Sequence, residues 1–382
     1  MNRRLLGCAI SLTFYDGKDF PYMHHLTRRK FLTMLAGAGA TGLGGPFWLH
    51  EAAFAAVDAG HQTAPVPASA ALPAGQFTNR LRLPGASGLY AAVAAKDVKQ
   101  ITVSELNFEV LPRISSPFWA YVAEVGGRQL LNPTLLARSG DQIRLRMVNR
   151  LKQPTIIHWH GLTNDDRNDG TGMYVAAPGK DYDYAFTVRD RAANYWYHPH
   201  PHDITGEQVY KGLAGLLIVK DDDEEKLASA LDLAVGVTDI PLVIQDRSFN
   251  FEGKLEYKLS RDQTFAGFLG EEILVNLTAR PYFDAARRIY RFRILNGSNA
   301  RTYRLAFAQG SRPIEYYLIG TDGGLLPQDT GLLDTVLVWP GESVRIALDF
   351  GHPFSGDQTY MFHCHNLEHQ DRGMMIGYKV KA

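Results

Sequence analysis

The sequence predicts an all-β protein of two tandem β-sandwiches, and three observations carry that prediction. From about residue 98 the chain is a succession of short runs rich in Val, Ile, Leu, Tyr and Phe, separated by Gly, Pro, Asp and Asn. Helical periodicity is scarce. The chain has 382 residues, 45% of them hydrophobic, which is enough for two or three domains with ordinary buried cores. Short strands at turn-punctuated spacing pack as sandwiches.

In chain order, the first segment is an export leader. Thr27-Arg28-Arg29-Lys30-Phe31-Leu32 is a twin-arginine pattern, followed by TMLAGAGATGLGG and by Ala53-Phe54-Ala55, an A-x-A cleavage site. Residues 1–55 are therefore expected to be removed, with the mature chain starting near Ala56 in the periplasm or a similar exported location. The competing reading is a membrane anchor, but the run between Arg29 and Pro46 is Gly-rich and shorter than the ~20 apolar residues a span needs. Met23 stands shortly before the motif, where a signal peptide's own start is expected. Residues 56–97, rich in Ala, Pro and Gly, read as a linker or an arm laid along the first domain.

The first sandwich is expected over 98–222, in the runs ITVSELNFEVL, QIRLRMVNRL, TIIHWHGL, YDYAFTV, NYWYHPH and GLAGLLIVKD. DDEEKLASALD, near 222–232, is charge-rich at its start and reads as a helical connector. The second sandwich follows over 223–382, in IPLVIQDRSF, ILVNLT, RIYRFRILN, RTYRLAFA, IEYYLIG, TVLVWPG, SVRIALDF and YMFHCHN. Lys+Arg and Asp+Glu balance at 40 each, so no overall basic field draws the chain to nucleic acid or to an anionic membrane after export.

Of two cysteines, Cys8 lies in the leader, which leaves Cys364 without a partner in an oxidising compartment. Such a cysteine is either a small buried hydrophobe or a reactive or metal-bound thiol. Its neighbours favour the metal. Three His-x-His pairs lie on β-type runs, at His158-Trp159-His160, His198-Pro199-His200 and His363-Cys364-His365. Side chains on a strand alternate faces, so each pair offers two imidazoles to one side. In the third pair the same alternation sends Cys364 to the opposite face, and one strand touches two metal sites.

A thiolate with imidazole and a weak thioether is the ligand set of a blue copper electron-transfer centre, and His369 and Met374 follow Cys364 closely enough for one loop to supply both. Histidine-only ligation on the other face suits copper that binds oxygen. A single strand pair would more often be two satisfied or surface histidines, and zinc is the other metal to weigh. Three pairs with one His-Cys-His argue against both, because zinc sites with one Cys and many His are uncommon.

HWHGL at 158–162, YWYHPHPHDITGEQVYKGLAGLLIV at 195–219, RFRILNGSNARTYRLAF at 291–307, IGTDGGLLP at 319–327 and HCHNLEHQDRGMM at 363–375 resemble the multicopper oxidases, in particular the bacterial laccase-like, bilirubin-oxidase-like and cuprous oxidase group. The resemblance implies cupredoxin-like (plastocyanin-like) Greek-key sandwiches. It makes His158 a type 2 copper ligand, His160, His198, His200, His363 and His365 type 3 ligands, and Cys364, His369 and Met374 type 1 ligands. Asp169 lies where such enzymes keep an acid beside the trinuclear cluster, which gives it a proton-relay role. His202 is read as supporting the site without binding metal.

The chain departs from the family at one motif. The family's His-Pro-x-His-x-His-Gly contributes a ligand to each copper type, yet no histidine occurs between His202 and His352. His352-Pro353 sits in a turn-like GHPFSGD and reads as a surface loop. Residues up to about Pro327 resemble the first half of the family's middle domain and those from about Asp334 the second half of its last. The second sandwich is thus expected to be a hybrid, with Ala300, Tyr303 and Leu305 standing roughly where the missing ligands would be. Three functions follow: an exported oxidase passing electrons from phenols, bilirubin-like pigments or Cu(I) to molecular oxygen; a copper-binding protein without turnover; and a copper-free scaffold similar to an exported cell-division protein of the same fold.

Overall fold

A computed structural model of the chain describes residues 9–13, 78–84, 88–286, 288–309, 312–313, 320–321, 324–325 and 353–381. The twin-arginine motif, the cleavage site, His352, the runs IEYYLIG, TVLVWPG and SVRIALDF, and the expected junction between 327 and 334 lie outside the described residues, apart from Gly320.

The first unit has ten strands: β1 (Ala92–Ala94), β2 (Gln100–Leu111), β3 (Ile114–Val125), β4 (Arg128–Leu131), β5 (Thr134–Arg138), β6 (Gln142–Asn149), β7 (His158–His160), β8 (Asp181–Thr187), β9 (Ala193–His198) and β10 (Gly215–Lys220). They form two five-stranded sheets, in the orders β8-β6-β2-β3-β4 and β1-β5-β10-β9-β7. Period-2 patterning explains which faces meet. In β6, Ile143, Leu145 and Met147 turn into the core while Gln142, Arg144 and Arg146 face water. Trp159, Tyr184, Tyr197 and Leu217 fill the space between the sheets.

Strand β10 is buried on both faces, which its unbroken apolar run requires. Leu217 and Val219 enter the sandwich core, while Leu216 joins Phe118, Ala120, Val243, Leu274 and Leu277 in a second apolar layer. That layer glues the two units together.

The second unit is built on β11 (Asp239–Arg247), central in a four-stranded sheet with β12 (Glu272–Val275), β13 (Thr278–Ala279) and β14 (Arg291–Asn296), in the order β13-β12-β11-β14. The expected connector is an α-helix, α2 (Asp222–Ala230), whose N-cap Asp221 accepts from the Glu224 amide; the shorter α1 (Thr205–Lys211) precedes it. Glu224 from α2, Asp239 from β11 and Arg291 and Arg293 from β14 make a buried four-charge cluster that ties the connector to the sheet. Beyond it, β15 (Gln358–His363) and β16 (Met375–Val380) form a two-stranded hairpin bridged by the one-turn α3 (Leu367–Asp371).

Two expectations need correction. The first sandwich does not begin at 98: Leu89 and Tyr90 are buried and Ala92–Ala94 runs parallel to β5, an Ala-rich strand whose composition resembles a linker. Nor does the arm, where described, lie along the first domain only. Asn79–Arg80 pairs with Pro281–Tyr282, and Leu81 enters the core of the second unit. Within the expected leader, Ala9–Thr13 pairs antiparallel with Arg304–Gln309. No helix among the described residues is long and apolar enough to cross a membrane.

Candidate metal centre

Strands β7 and β9 are antiparallel neighbours with His158 opposite His198 and His160 opposite Trp196. Alternation turns His158 and His160 to one face and sends Trp159 into the sandwich core. His200 follows through Pro199, and β15 delivers His363 and, just past its end, His365 from the second unit. The structure therefore brings together all six histidines of the three pairs. Ring centroids lie 4.8 Å apart for His160 and His365, 4.8 Å for His200 and His363, and 5.2 Å for His158 and His198. The Nε2 atoms of His200 and His363 are 3.3 Å apart, and His198 Nε2 is 3.4 Å from His160 Nδ1.

Backbone carbonyls set the ring orientation. Nδ1 of His158 pairs with the Asp169 carbonyl at 2.8 Å, that of His198 with Pro199 at 2.8 Å and that of His363 with Cys364 at 3.1 Å. A ring that donates Nδ1–H to a carbonyl keeps its Nε2 lone pair for the interior. His365 Nε2 is buried with no hydrogen-bond partner. Burial, then the neighbouring imidazoles, push His160, His198 and His200 well below the ordinary histidine pKa, and His365 down to about 3. Neutral rings with inward lone pairs are what metal ligation needs. The nitrogens of His158, His160 and His198 all lie within 4.8 Å of one another, a set able to hold an ion.

Asp169 touches the cluster through His158, to which its carboxylate comes within 3.5 Å of Nδ1. Gly170 makes that approach possible. It has φ +82°, and a Cβ there would stand 1.8 Å from the Ile157 carbonyl oxygen.

On the other side of β15, Cys364 Sγ lies 3.8 Å from His369 Nδ1, while His369 Nε2 bonds the Phe265 carbonyl at 2.6 Å. His369 sits on α3, whose N-cap is Asn366. That helix is docked by Asp371, whose carboxylate accepts from the amides of Thr205 and Gly206 at the start of α1, and by Glu368, which accepts from Tyr257 and Asn299. Burial raises Asp371 to about 6. Met374 is held through its backbone, its carbonyl accepting from the Cys364 amide at 3.0 Å, but its side chain is 60% exposed. Of the three residues expected to meet there, Cys364 and His369 do so.

Of the residues expected at the missing ligand positions, Ala300 borders the Cys364 loop: a Cβ on Gly267 would be 2.3 Å from the Ala300 Cβ and 2.6 Å from Asn366 Nδ2. Tyr303 packs instead against the core of the second unit, with its hydroxyl 2.7 Å from Ser298 Oγ, as a large ring next to apolar neighbours should. His202 is exposed and lies against Gly172. Sequence reasoning missed Trp196, whose ring lies 4.1 Å from that of His198, and the carbonyls that orient the rings. A carbonyl acceptor leaves no trace in residue type.

Two family models, both described as multicopper oxidase, match residues 120–224 and 290–382. The multicopper oxidase mco of Staphylococcus aureus is 38% identical over 220 residues, 58% of this chain and 47% of that protein. The cell division protein FtsP of Escherichia coli is 31% identical over 259 residues, 68% of this chain and 52% of that one. The chain spans about half the length of the curated relatives it matches. Among solved structures, the McoA multicopper oxidase 2F4 variant of Aquifex aeolicus superposes with a TM-score of 0.72 at 30% identity, covering 80% of this chain and all of that one. Likeness in residues and likeness in backbone path lead to the same place, and the chain belongs to the multicopper oxidase family.

Proposed function

We propose that this chain is an exported copper oxidoreductase, coupling one-electron oxidation of phenol-like, bilirubin-like or Cu(I) donors to reduction of oxygen to water. The convergence of six inward-facing imidazoles from two units carries that reading. Copper, when bound, supplies one-electron redox chemistry and the reduction of oxygen. His158, His160, His198, His200, His363 and His365 would hold it on one side, and Cys364 with His369 on the other. The peptide bonds from His363 to His365 join the two groups directly. Asp169 would hold a proton beside His158 Nδ1, and the Asp169 carbonyl keeps that ring in one tautomer.

One observation favours a second reading, copper binding with little turnover. A blue site requires two imidazoles beside the thiolate, and the imidazole that meets Cys364 is His369. No histidine lies between His202 and His352 to supply another. Likeness to FtsP supports the copper-free scaffold as a relative but not as this chain's state, since all nine expected ligands are retained in its sequence.

Copper stoichiometry and an absorption spectrum of the purified mature protein separate the readings. The oxidase reading expects bound copper with turnover of a phenol, and the low-turnover reading expects bound copper with weak or no blue absorption and at most slight oxidase activity. Intense blue colour with rapid phenol oxidation would sink the low-turnover reading, and a copper-free protein from copper-replete cells would leave only the scaffold. Export is checked by replacing Arg28 and Arg29 with Lys, which should trap the protein in the cytoplasm; unchanged export would overturn the assignment.

A further inference from the structure

Trp159 stands between His158 and His160 as Cys364 stands between His363 and His365. In both triplets the middle side chain is turned away from the cluster and is joined to it through the backbone of two candidate ligands. Cys364 leads to His369. Trp159 leads into a row of aromatic rings. The indole is fully buried, its Nε1 has no hydrogen-bond partner, and it meets Tyr184 edge-on at 5.5 Å between centroids. Tyr184 lies 5.0 Å from Tyr182, which lies 6.5 Å from Tyr174. Burial falls along the row, from Trp159 and Tyr184 in the core to Tyr182 and Tyr174 at the half-buried rim.

Among the described residues, the two other rings that meet Trp159 lead inward. Phe186, at 5.4 Å, has no phenol, and Tyr197, at 5.6 Å, leads to Tyr121, where both rings are fully buried. Chemistry distinguishes the outer end as well. The hydroxyls of Tyr184 and Tyr182 donate to the carbonyls of Ile157 at 2.7 Å and Arg167 at 2.5 Å, which are poor bases. Tyr174 is the outermost, half-buried ring of the row, and the Asp166 carboxylate is close enough to act on it electrostatically. A phenol gives up an electron more readily when its proton can leave with it, and of the four rings the half-buried Tyr174 stands farthest from the core, where solvent can take that proton.

We propose that Trp159, Tyr184, Tyr182 and Tyr174 form a hole-transfer path from the histidine cluster to the surface, ending in a second electron-entry site at Tyr174 for small phenols. The proposal rests on the reading that the six histidines hold copper, and its oxidant is a peroxide. Copper held by the six histidines would supply the site at which hydrogen peroxide takes two electrons and two protons, its O–O bond breaking to give two waters. Each electron leaves Tyr174 along the rings while the phenolic proton passes to solvent at the rim, and solvent returns a proton to the cluster. A phenol then gives Tyr174 a hydrogen atom, breaking its own O–H bond and restoring that of Tyr174. Two phenols become two phenoxyl radicals per peroxide. This route does not pass through Cys364.

The test treats the copper-loaded full-length mature chain, with its copper content measured, with hydrogen peroxide and a nitroso spin trap, and locates adducts by peptide mass spectrometry. The expected result is an adduct on Tyr174 that is absent from the copper-free protein. In Tyr182→Phe the Tyr174 adduct should be lost and modification should move inward to Tyr184 and Trp159; Tyr184→Phe, which breaks a different link, should also lose the Tyr174 adduct and confine modification to Trp159. Cys364→Ser should keep the Tyr174 adduct. An undiminished adduct in both tyrosine variants, or an equal one without copper, means that the oxidant reached Tyr174 from solution and overturns the path. Loss of the adduct in Cys364→Ser overturns it too. A preparation whose histidines bind no copper defeats the copper reading itself, and metal analysis reports that separately from the adduct map.

Discussion

His158-Trp159-His160 and His363-Cys364-His365 are one three-residue device in two different frames. The first is an edge strand of a five-stranded sheet, with its central residue sealed among Tyr184, Phe186 and Tyr197. The second closes a two-stranded hairpin, on which Phe362 is 59% exposed and its cross-strand partner Ile376 63% exposed. Two strands alone are marginal, whereas a closed sandwich is not. Alternation decides where side chains point in both frames; the layers around them decide how firmly they are held. His363 and His365 thus borrow their order from contacts with the first unit, at His200 and His160.

The largest test of that contrast is truncation. Trp159→Ala should lower the unfolding free energy by roughly 3–5 kcal/mol, the cost of emptying a packed aromatic site. Phe362→Ala should change it by about 0.5 kcal/mol or less, as expected of an exposed position. Urea unfolding of both variants checks this, and similar losses would mean that the hairpin is as firmly packed as the sandwich.

Next in size is the support behind His158. Gly170→Ala places a Cβ against the Ile157 carbonyl and must shift Asp169, so copper affinity should fall about 10–100-fold, the usual effect of losing a ligand's supporting partner. A competition titration with a copper chelator measures it. Unchanged affinity would show that the Asp169 contacts do not hold the ring.

A pH series contrasts the cluster with the second unit. In the metal-free folded chain burial holds the cluster histidines below the ordinary 6.5, and His365 at about 3. The unfolded chain therefore binds more protons below pH 6.5, and stability falls as the pH drops from there. Burial alone would raise Asp239, but Arg291 and Arg293 outweigh it and hold its pKa below the ordinary 3.8. Its contribution is present above that value and is lost only in stronger acid. The urea midpoint of metal-free protein should drop between pH 7 and pH 5, and a level midpoint would refute the cluster's part.

The smallest expected effect belongs to Met374. Its exposed side chain predicts that Met374→Ala alters stability by about 0.5 kcal/mol or less and leaves the spectrum of the copper-loaded protein unchanged. A spectral shift would return Met374 to the Cys364 site.

Much of this was legible in local pattern. Strand alternation is a property of neighbouring residues, so three His-x-His pairs announce shared faces before any fold is known, and the acidic start of α2 announces its N-terminus. Strands that are short and Ala-rich, or interrupted by Pro, are less legible. Ala92–Ala94 becomes a strand because β5 offers a parallel edge, and β3 (Ile114–Val125) extends through Pro117 at an exposed position.

By itself, then, the sequence determined the two-unit β architecture, the pairing of imidazoles on strand faces and the opposite aim of Cys364, because each follows from period-2 geometry within one run of residues. Only the tertiary structure decided that strands from separate units would bring six rings within contact. It alone sent Tyr303 to the core and Met374 to solvent, and it laid the arm at residues 78–81 on the second unit. Those outcomes depend on which surfaces are left to bury once distant segments meet. They depend equally on backbone carbonyls, such as those of Asp169, Pro199 and Phe265, that every residue carries and no residue type reveals.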